Sequence, residues 1–325
     1  MNGVARLLRV VAGAIGRAVA AMLSLALLVG TGYGWAVQRT LADRVVTSDV
    51  LSSRTTAPQP DQPFTALLVG LDSRTDASGN PLPPGLLAQL RAGDDEGQLH
   101  TDTIILLHVP AGPNARTVAI SIPRDSFVAL ADGGNTRHKI NSAYRRATDD
   151  AKAALEAQGV SGPELDRRSR DAGRRALVAT VEKFTRLPID HYAEINLAGF
   201  VEMTEAIGGV PVCLKRPERE VRSGVDLPAG PQIVSGADAL AFVRQRHGLE
   251  GGDLDRIARQ QAFLAGLANR MLSTGTLSDP GAVRRLVDAV TRNVVLDRGW
   301  NLDRLITQFG RMSEGDIRFV TIPTG

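Results

Sequence analysis

The chain has 325 residues, 43% of them hydrophobic, which suffices for a sizeable buried core and excludes disorder along most of its length. Its one cysteine, Cys213 in the apolar run 210–214, excludes an intramolecular disulfide and a cysteine-based zinc site, and reads as a small core residue. The net charge is only +3, and Lys139, Lys152, Lys183 and Lys215 are the only lysines among 38 basic residues, so the basicity is that of arginine, whose planar fork matches phosphate and carboxylate oxygens.

Genome base composition alone raises arginine content, so only arginines at particular places carry information. The five histidines (His100, His108, His138, His191, His247) are scattered, with no H-E-x-x-H spacing. Neither a G-x-x-x-x-G-K-[ST] phosphate loop nor a G-x-S-x-G elbow occurs, which removes three common enzyme signatures.

From Ala18 to Val37 there are 20 residues without a charge. At about 1.5 Å per residue this spans a bilayer core as a helix. Arg6, Arg9 and Arg17 precede it, Asp43 offsets Arg39 and Arg44 beyond it, and Tyr33 and Trp35 stand where an interfacial belt falls. The positive-inside rule predicts residues 1–17 as a cytoplasmic tail, 18–37 as a single transmembrane helix, and everything after about residue 38 outside the cytoplasmic membrane. A cleaved signal peptide is the competing reading, and it too exports the rest. Residues 38–63, ending in Thr55-Thr-Ala-Pro-Gln-Pro-Asp-Gln-Pro63, read as an extended stem, with the globular domain over 64–325.

Thr65–Gly70 is a short apolar run predicting a buried strand, which places Asp72 and Arg74 on its exit loop. Thr101–Val109 predicts a second strand with Asp102 at its entrance, and Thr117–Ile122 a third that runs into Arg124. Helical spacing covers 162–185. His191–Ile195 is a strand, and Asn196 caps a helix that the Gly208-Gly209 pair ends before a strand at Val210–Leu214. Helices follow at 235–243, 253–272, 282–293 and 302–312, then a closing strand at Ile317–Ile322. This alternation predicts an α/β domain whose sheet is covered by helices.

The densest polar cluster is residues 243–260, where Arg244 and Arg246 leave one helix and Asp253 opens the next. Asp253, Arg256 and Gln260 share a face of that helix near its anion-favouring N-terminus, with Ile257, Leu264 and Leu267 turned more toward a core. Close arginines repel unless an anion or acids lie between them. A solvated network with Glu250, Asp253 and Asp255 is one outcome. An anion site is the other, and acids at sheet-edge loops (Asp72, Asp102) with Arg124 favour it, since magnesium takes carboxylate and phosphate oxygens.

Leu68-Val-Gly-Leu-Asp-Ser-Arg74, Thr101-Asp-Thr103, Ser121-Ile-Pro-Arg-Asp125, Lys139-Ile-Asn-Ser-Ala-Tyr144, Ile189-Asp-His-Tyr192, Ile207-Gly-Gly-Val-Pro-Val212, Ala239-Leu-Ala-Phe-Val-Arg-Gln-Arg-His247 and Gly252-Asp-Leu-Asp-Arg-Ile-Ala-Arg-Gln-Gln261 stand in the order of the motifs of the LytR-CpsA-Psr family. The resemblance spans about residues 64–270. It implies an α/β/α sandwich with a central mixed sheet and an apolar pocket for the polyprenyl chain of a pyrophosphate-linked glycopolymer. The implied enzyme is a phosphotransferase that moves the glycopolymer to a cell-wall hydroxyl, usually on peptidoglycan. Asp72 and Asp102 would hold Mg2+, with Mn2+ as the alternative. Arg124, Arg244, Arg246 and Arg256 would grip the pyrophosphate with Gln260, Asp253 would order the arginines, and Arg74 and Lys139 would contribute less directly. Of these, Asp72, Arg124, Arg244, Arg246 and Asp253 form the implied catalytic set.

Phosphoryl transfer needs positioning and charge neutralisation rather than a covalent nucleophile, so the missing triad is no obstacle. The chain departs from the family at His100, where relatives often carry arginine two residues before the aspartate. It also ends at Gly325, so any extension found in relatives is expected to be either absent or not included. Two alternatives remain: a hydrolase using water as acceptor, and a non-catalytic envelope regulator. With about 17 residues on the cytoplasmic side and no basic recognition helix there, nucleic acid is not an expected partner. The polymer itself stays open between arabinogalactan and teichoic types.

Overall fold

Residues Asn2–Arg44 form one uninterrupted helix, α1, in a computed structural model that describes residues 2–51, 62–90, 99–111, 116–134, 137–221, 223–245, 248–249, 252–271, 273–300 and 317–322. Of residues 2–20, 26, 253 and 254 it describes the backbone alone. The chain divides into two units, Met1–Arg44 and Val45–Gly325. Among the described residues, Ala21–Arg44 is long and apolar enough to cross a membrane by length and composition. Leu23, Leu27, Leu28, Val29 and Trp35 are all exposed on it, as lipid-facing residues would be.

The second unit begins earlier than the sequence suggests. Strand β1, Val46–Ser48, pairs in parallel with β12, Val294–Asp297, and Val50 is buried in the core. The stem expected over 38–63 is thus corrected at its start: its first residues finish α1 and its next ones form an edge strand. Three residues at a sheet edge, with Ser48 donating from Oγ to Asp171 at 2.6 Å, leave no alternating pattern long enough to read. Residues 52–61, the Pro-rich part of that stem, lie outside the described residues, as does the helix expected over 302–312.

The sheet order is β1-β12-β7-β2-β3-β4-β13, with β2 at Phe64–Asp72, β3 at His100–Val109, β4 at Thr117–Ser121, β7 at His191–Asn196 and β13 at Ile317–Thr321. It is mixed: β2 runs parallel to β7 and antiparallel to β3. Between β4 and β7 come a small hairpin, β5 (Phe127–Ala129) with β6 (Arg137–Lys139), and helices α3 (Ser142–Ala157) and α4 (Gly162–Thr185).

Alternation along β2 assigns the two faces. Leu67, Val69 and Leu71 pack with Tyr144 of α3 and Leu177, Val178 and Val181 of α4. Phe64 and Ala66 face the other way, toward a cluster that includes Leu264. That second layer is made of α5 (Leu197–Ala206), α6 (Gly236–Arg244), α7 (Asp253–Met271) and α9 (Pro280–Asn293), with their own apolar cluster. The result is helix layers on both sides of a central mixed sheet.

Local chemistry explains the joints. Asn196 accepts the Gly199 amide at 2.7 Å and caps α5. Gly208 and Gly209 then take φ of 72° and 83° before β8, Val210–Leu214, and a Cβ at Gly209 would meet the Val234 carbonyl at 3.0 Å. Cys213, expected in the core, is exposed instead: among the described residues β8 pairs only with β11 (Gly230–Val234) in a two-stranded ribbon, and every second side chain turns to solvent.

Beneath the sheet lies a buried polar network the sequence did not announce. Arg174 of α4 donates to both carboxylate oxygens of Glu194 on β7, at 3.1 and 2.9 Å, and to Asp171 at 3.0 Å, while the Tyr192 hydroxyl donates to Glu194 at 2.7 Å. Burial works against ionisation of Glu194, but Arg174 and the two hydrogen bonds outweigh it and hold the carboxyl below its ordinary value.

Candidate active site

A cavity of about 460 Å³ opens between the sheet and helices α5, α6 and α7. Leu68, Ile105, Ile195, Leu197, Phe200, Leu240, Leu264 and Leu267 give it apolar walls, and Asp72, Asp102, Arg124, Arg244, Arg256 and Gln260 line it as well. Six residues from five stretches of chain thus converge on one cavity.

Asp72 is the last residue of β2 rather than part of the following loop, paired across the ladder with His100. Its Oδ1 is buried without a hydrogen-bond partner among the described residues, and its Oδ2 stands 3.8 Å from Arg244 Nη2. Burial raises its proton affinity above the ordinary carboxylate value. Arg244 opposes this, nearby Asp102 adds to it, and Arg74 and His100 oppose it further. A buried carboxylate oxygen left bare at a cavity wall is an acceptor lacking its donor or cation.

A bulge delivers Asp102. Gly70 pairs with Thr103 and Leu71 with Thr101, so Asp102 is the extra residue on β3. Strict alternation would put Asp102 on the face of Ile104 and Leu106, which pack beside α3 and α4. With the extra residue, Thr101 takes that side, its hydroxyl donating to the Asn141 carbonyl at 3.4 Å, and Asp102 joins Thr103 at the cavity. Gly70 permits the crossing, because a Cβ there would lie 3.0 Å from Thr103 Cβ.

Arg124 donates to Asp102 Oδ1 at 2.5 Å, so two residues read separately, one for metal and one for phosphate, are partners. Arg244 donates to the Leu90 carbonyl at 3.3 Å. Arg256 is buried, and Gln260, one helical turn further along α7, donates to the Val243 carbonyl at 3.0 Å and ties α7 to α6. Leu264 and Leu267, expected to turn toward a core, continue the same wall.

The other expected residues fall elsewhere. Arg74 is close enough to act on Asp72 electrostatically but does not line the cavity. Lys139, expected as a pyrophosphate contact, ends β6, ion-pairs with Asp125 at 2.9 Å and lines a second cleft that also includes Arg124. Arg246 and His247 lie outside the described residues. Asp253 opens α7 as expected, and only its backbone is described.

Sequence reading missed the support under Arg244. Gln245, the next residue, is buried and donates to Glu218 at 2.9 Å, and Arg259 donates to Gln245 at 2.5 Å and to Glu218 at 3.3 Å. A polar residue between two arginines gave the only hint.

The donor set suits a magnesium ion. Two neighbouring carboxylates, one with a bare buried oxygen, leave most of a six-coordinate shell to water and phosphate, as that ion prefers. Among the described residues there is no cluster of three or more protein ligands that would make a closed metal cage.

Fold and site together define an α/β/α domain with an apolar cavity edged by carboxylates and guanidinium groups. The LytR_cpsA_psr family model matches residues 34–324, and the chain belongs to that family. It is 48% identical over 258 residues to the cell wall biosynthesis protein LcpA of Corynebacterium glutamicum, covering 79% of this chain and 49% of that protein. It is 29% identical over 225 residues to the polyisoprenyl-teichoic acid–peptidoglycan teichoic acid transferase TagU of Bacillus mycoides, covering 69% of this chain and 63% of that one. The chain thus spans between about half and two thirds of the length of these relatives. In the crystal structure of B. subtilis TagV the same fold recurs, at TM-score 0.57 and 24% identity, covering 82% of this chain and 86% of that one.

Proposed function

We propose that this protein is a membrane-anchored phosphotransferase that moves a glycopolymer from a polyprenyl-pyrophosphate carrier to a cell-wall hydroxyl, on the outer face of the cytoplasmic membrane. The observation that carries the reading is the junction of an apolar cavity of about 460 Å³ with Asp72, Asp102, Arg124, Arg244 and Arg256. A polyprenyl diphosphate is apolar at one end and strongly anionic at the other, and a site for it needs both environments in contact. The roles for which LcpA and TagU are named, cell wall biosynthesis and transfer of teichoic acid to peptidoglycan, support the cell-wall setting. The positive-inside charge pattern around α1 supports the orientation.

In this reading the acceptor oxygen attacks the sugar-proximal phosphorus, the bond from that phosphorus to the bridging oxygen breaks, and polyprenyl phosphate leaves. The hydroxyl proton ends on the departing polyprenyl monoester phosphate, so the donor's two negative charges are divided between the new phosphodiester and that leaving group. Arg244 and Arg256 bind the equatorial and bridging oxygens, and Gln260 fixes the α6–α7 spacing through Val243. Arg124, oriented by Asp102, faces the attacked phosphorus. Asp72 supplies a carboxylate oxygen for magnesium, which when bound neutralises phosphate charge and withdraws electron density. Apolar walls exclude water, which favours transfer over hydrolysis.

The test is product analysis with purified full-length protein, magnesium and a polyprenyl-pyrophosphate-linked glycan, with and without peptidoglycan. The expected result is polyprenyl phosphate released in step with glycan-phosphate attached to the wall. Asp72→Ala and Arg244→Ala are each expected to lose at least about 100-fold in rate, the usual range for removing a charge-stabilising group. Equal release with or without acceptor would mean a hydrolase, and parental turnover in both variants would exclude this cavity as the catalytic centre.

A further inference from the structure

A second cleft of about 440 Å³ adjoins the first, and Arg124 lines both. Its other walls are His100 from the start of β3, His138 and Lys139 from β6, and Asn141, Ser142 and Arg146 from the beginning of α3, with Asp125 beside them. The cleft is polar where the first cavity is apolar. Asp125 is engaged by Lys139 at 2.9 Å, whereas Arg146 has no carboxylate partner among the described residues. Arg124 is matched by Asp102 and Lys139 by Asp125, so Arg146 leaves the surplus charge positive. The 16-residue helix α3 adds to this field, because its N-terminus opens at Asn141 and Ser142.

In-line displacement at phosphorus fixes where the acceptor must enter. The leaving polyprenyl phosphate lies toward the apolar cavity, so the attacking oxygen approaches from another side, and the second cleft, which shares Arg124 with the cavity, is the space that can admit it. On the proposed transferase reading, we infer that this cleft is the acceptor subsite and that it takes a carboxylate-bearing glycan, its anionic groups held by Arg146 and Lys139 beside His138. The hydroxyl to be phosphorylated then reaches Arg124 while the carboxylates remain in the cleft. This also gives Lys139 a role on the acceptor side rather than on the pyrophosphate.

Binding tests this separately from turnover. Full-length parent and Arg146→Glu are titrated at low salt with a soluble carboxylate-bearing muropeptide and with its carboxyl-amidated form. Charge reversal is expected to weaken the carboxylate form about tenfold while leaving the amidated form unchanged, with the difference shrinking as salt rises. In the transfer assay the same variant should raise KM for peptidoglycan while kcat and the donor KM stay near parental values. His138→Ala, a milder change, guards against misfolding and should move acceptor KM in the same direction.

Equal muropeptide affinity in parent and variant would overturn the assignment. A rise in donor KM alone would overturn it too, since the anions held would then be those of the donor glycan. A parent that binds the muropeptide but transfers nothing would leave the subsite standing and remove the transferase reading.

Discussion

Asp72 concentrates the conflict between stability and function in one side chain. Its proton affinity is raised because burial outweighs Arg244, so between the ordinary carboxylate value of 3.8 and its raised value the folded state holds more proton than the unfolded state. The contribution of Asp72 to stability therefore falls as pH rises through that window, and at neutral pH the ionised group is a liability. Asp72→Asn is expected to abolish transfer while leaving stability at or up to about 1 kcal/mol above the parent. Urea denaturation at several pH values checks the sign: the variant should gain on the parent as pH rises from about 4. Glu194 has the opposite sign. Its carboxyl is held down by Arg174, so its contribution is complete above 4.5 and is lost as pH falls through the lowered value. Asp72 could be picked from the sequence because it follows an apolar strand run and stands in the order of the family's motifs, where a strand-end aspartate alone would read as a turn residue. The Arg174–Glu194 pair could not, since the two residues lie on a helix and a strand that only sheet packing brings together.

At the scale of elements, legibility followed apolar patterning more than length. The 24-residue helix α4 and the apolar runs of β2 and β3 declare themselves, whereas the 16-residue α3, a largely polar stretch that buries Ala143, Tyr144, Thr148 and Leu155, went unread, and β1 and β12, of three and four residues, exist only because neighbouring strands complete their hydrogen bonds. The bulge at Asp102 was hidden for a related reason. It is a property of the pairing of two strands, and neither sequence alone displays it. Gly70 carries its weight, because an added Cβ would press on Thr103. Gly70→Ala is expected to cost about 1–3 kcal/mol and to impair transfer by shifting Asp102. Combined with Thr103→Gly, which removes the opposing Cβ, it should show a favourable coupling of about 1 kcal/mol in a double-mutant cycle measured by chemical denaturation. Strict additivity would mean that the two positions do not press on each other.

For the whole molecule, the N-terminal apolar helix and the folded unit are separate units, and the proposed substrate would make their link functional. The unit from Val45 onward holds the seven-stranded sheet, the three apolar clusters and the cavity proposed as the active site. Removing residues 1–44 should therefore leave its unfolding free energy within about 0.5 kcal/mol of the parent, since no strand or core residue among those described is lost. Activity should depend on how the donor is presented. With a short-chain, freely soluble prenyl-pyrophosphate glycan, both forms meet substrate by diffusion and should turn over alike. With the full-length carrier embedded in vesicles, the anchored form is confined to the same surface as its substrate and gains effective concentration, on the order of 100-fold when the tether matches the span. Comparing kcat/KM of the two forms on both donors isolates this effect. An equal loss on both donors would mean that α1 supports the catalytic unit itself, and no loss on vesicles would mean that the cavity draws its lipid from solution without help from the anchor.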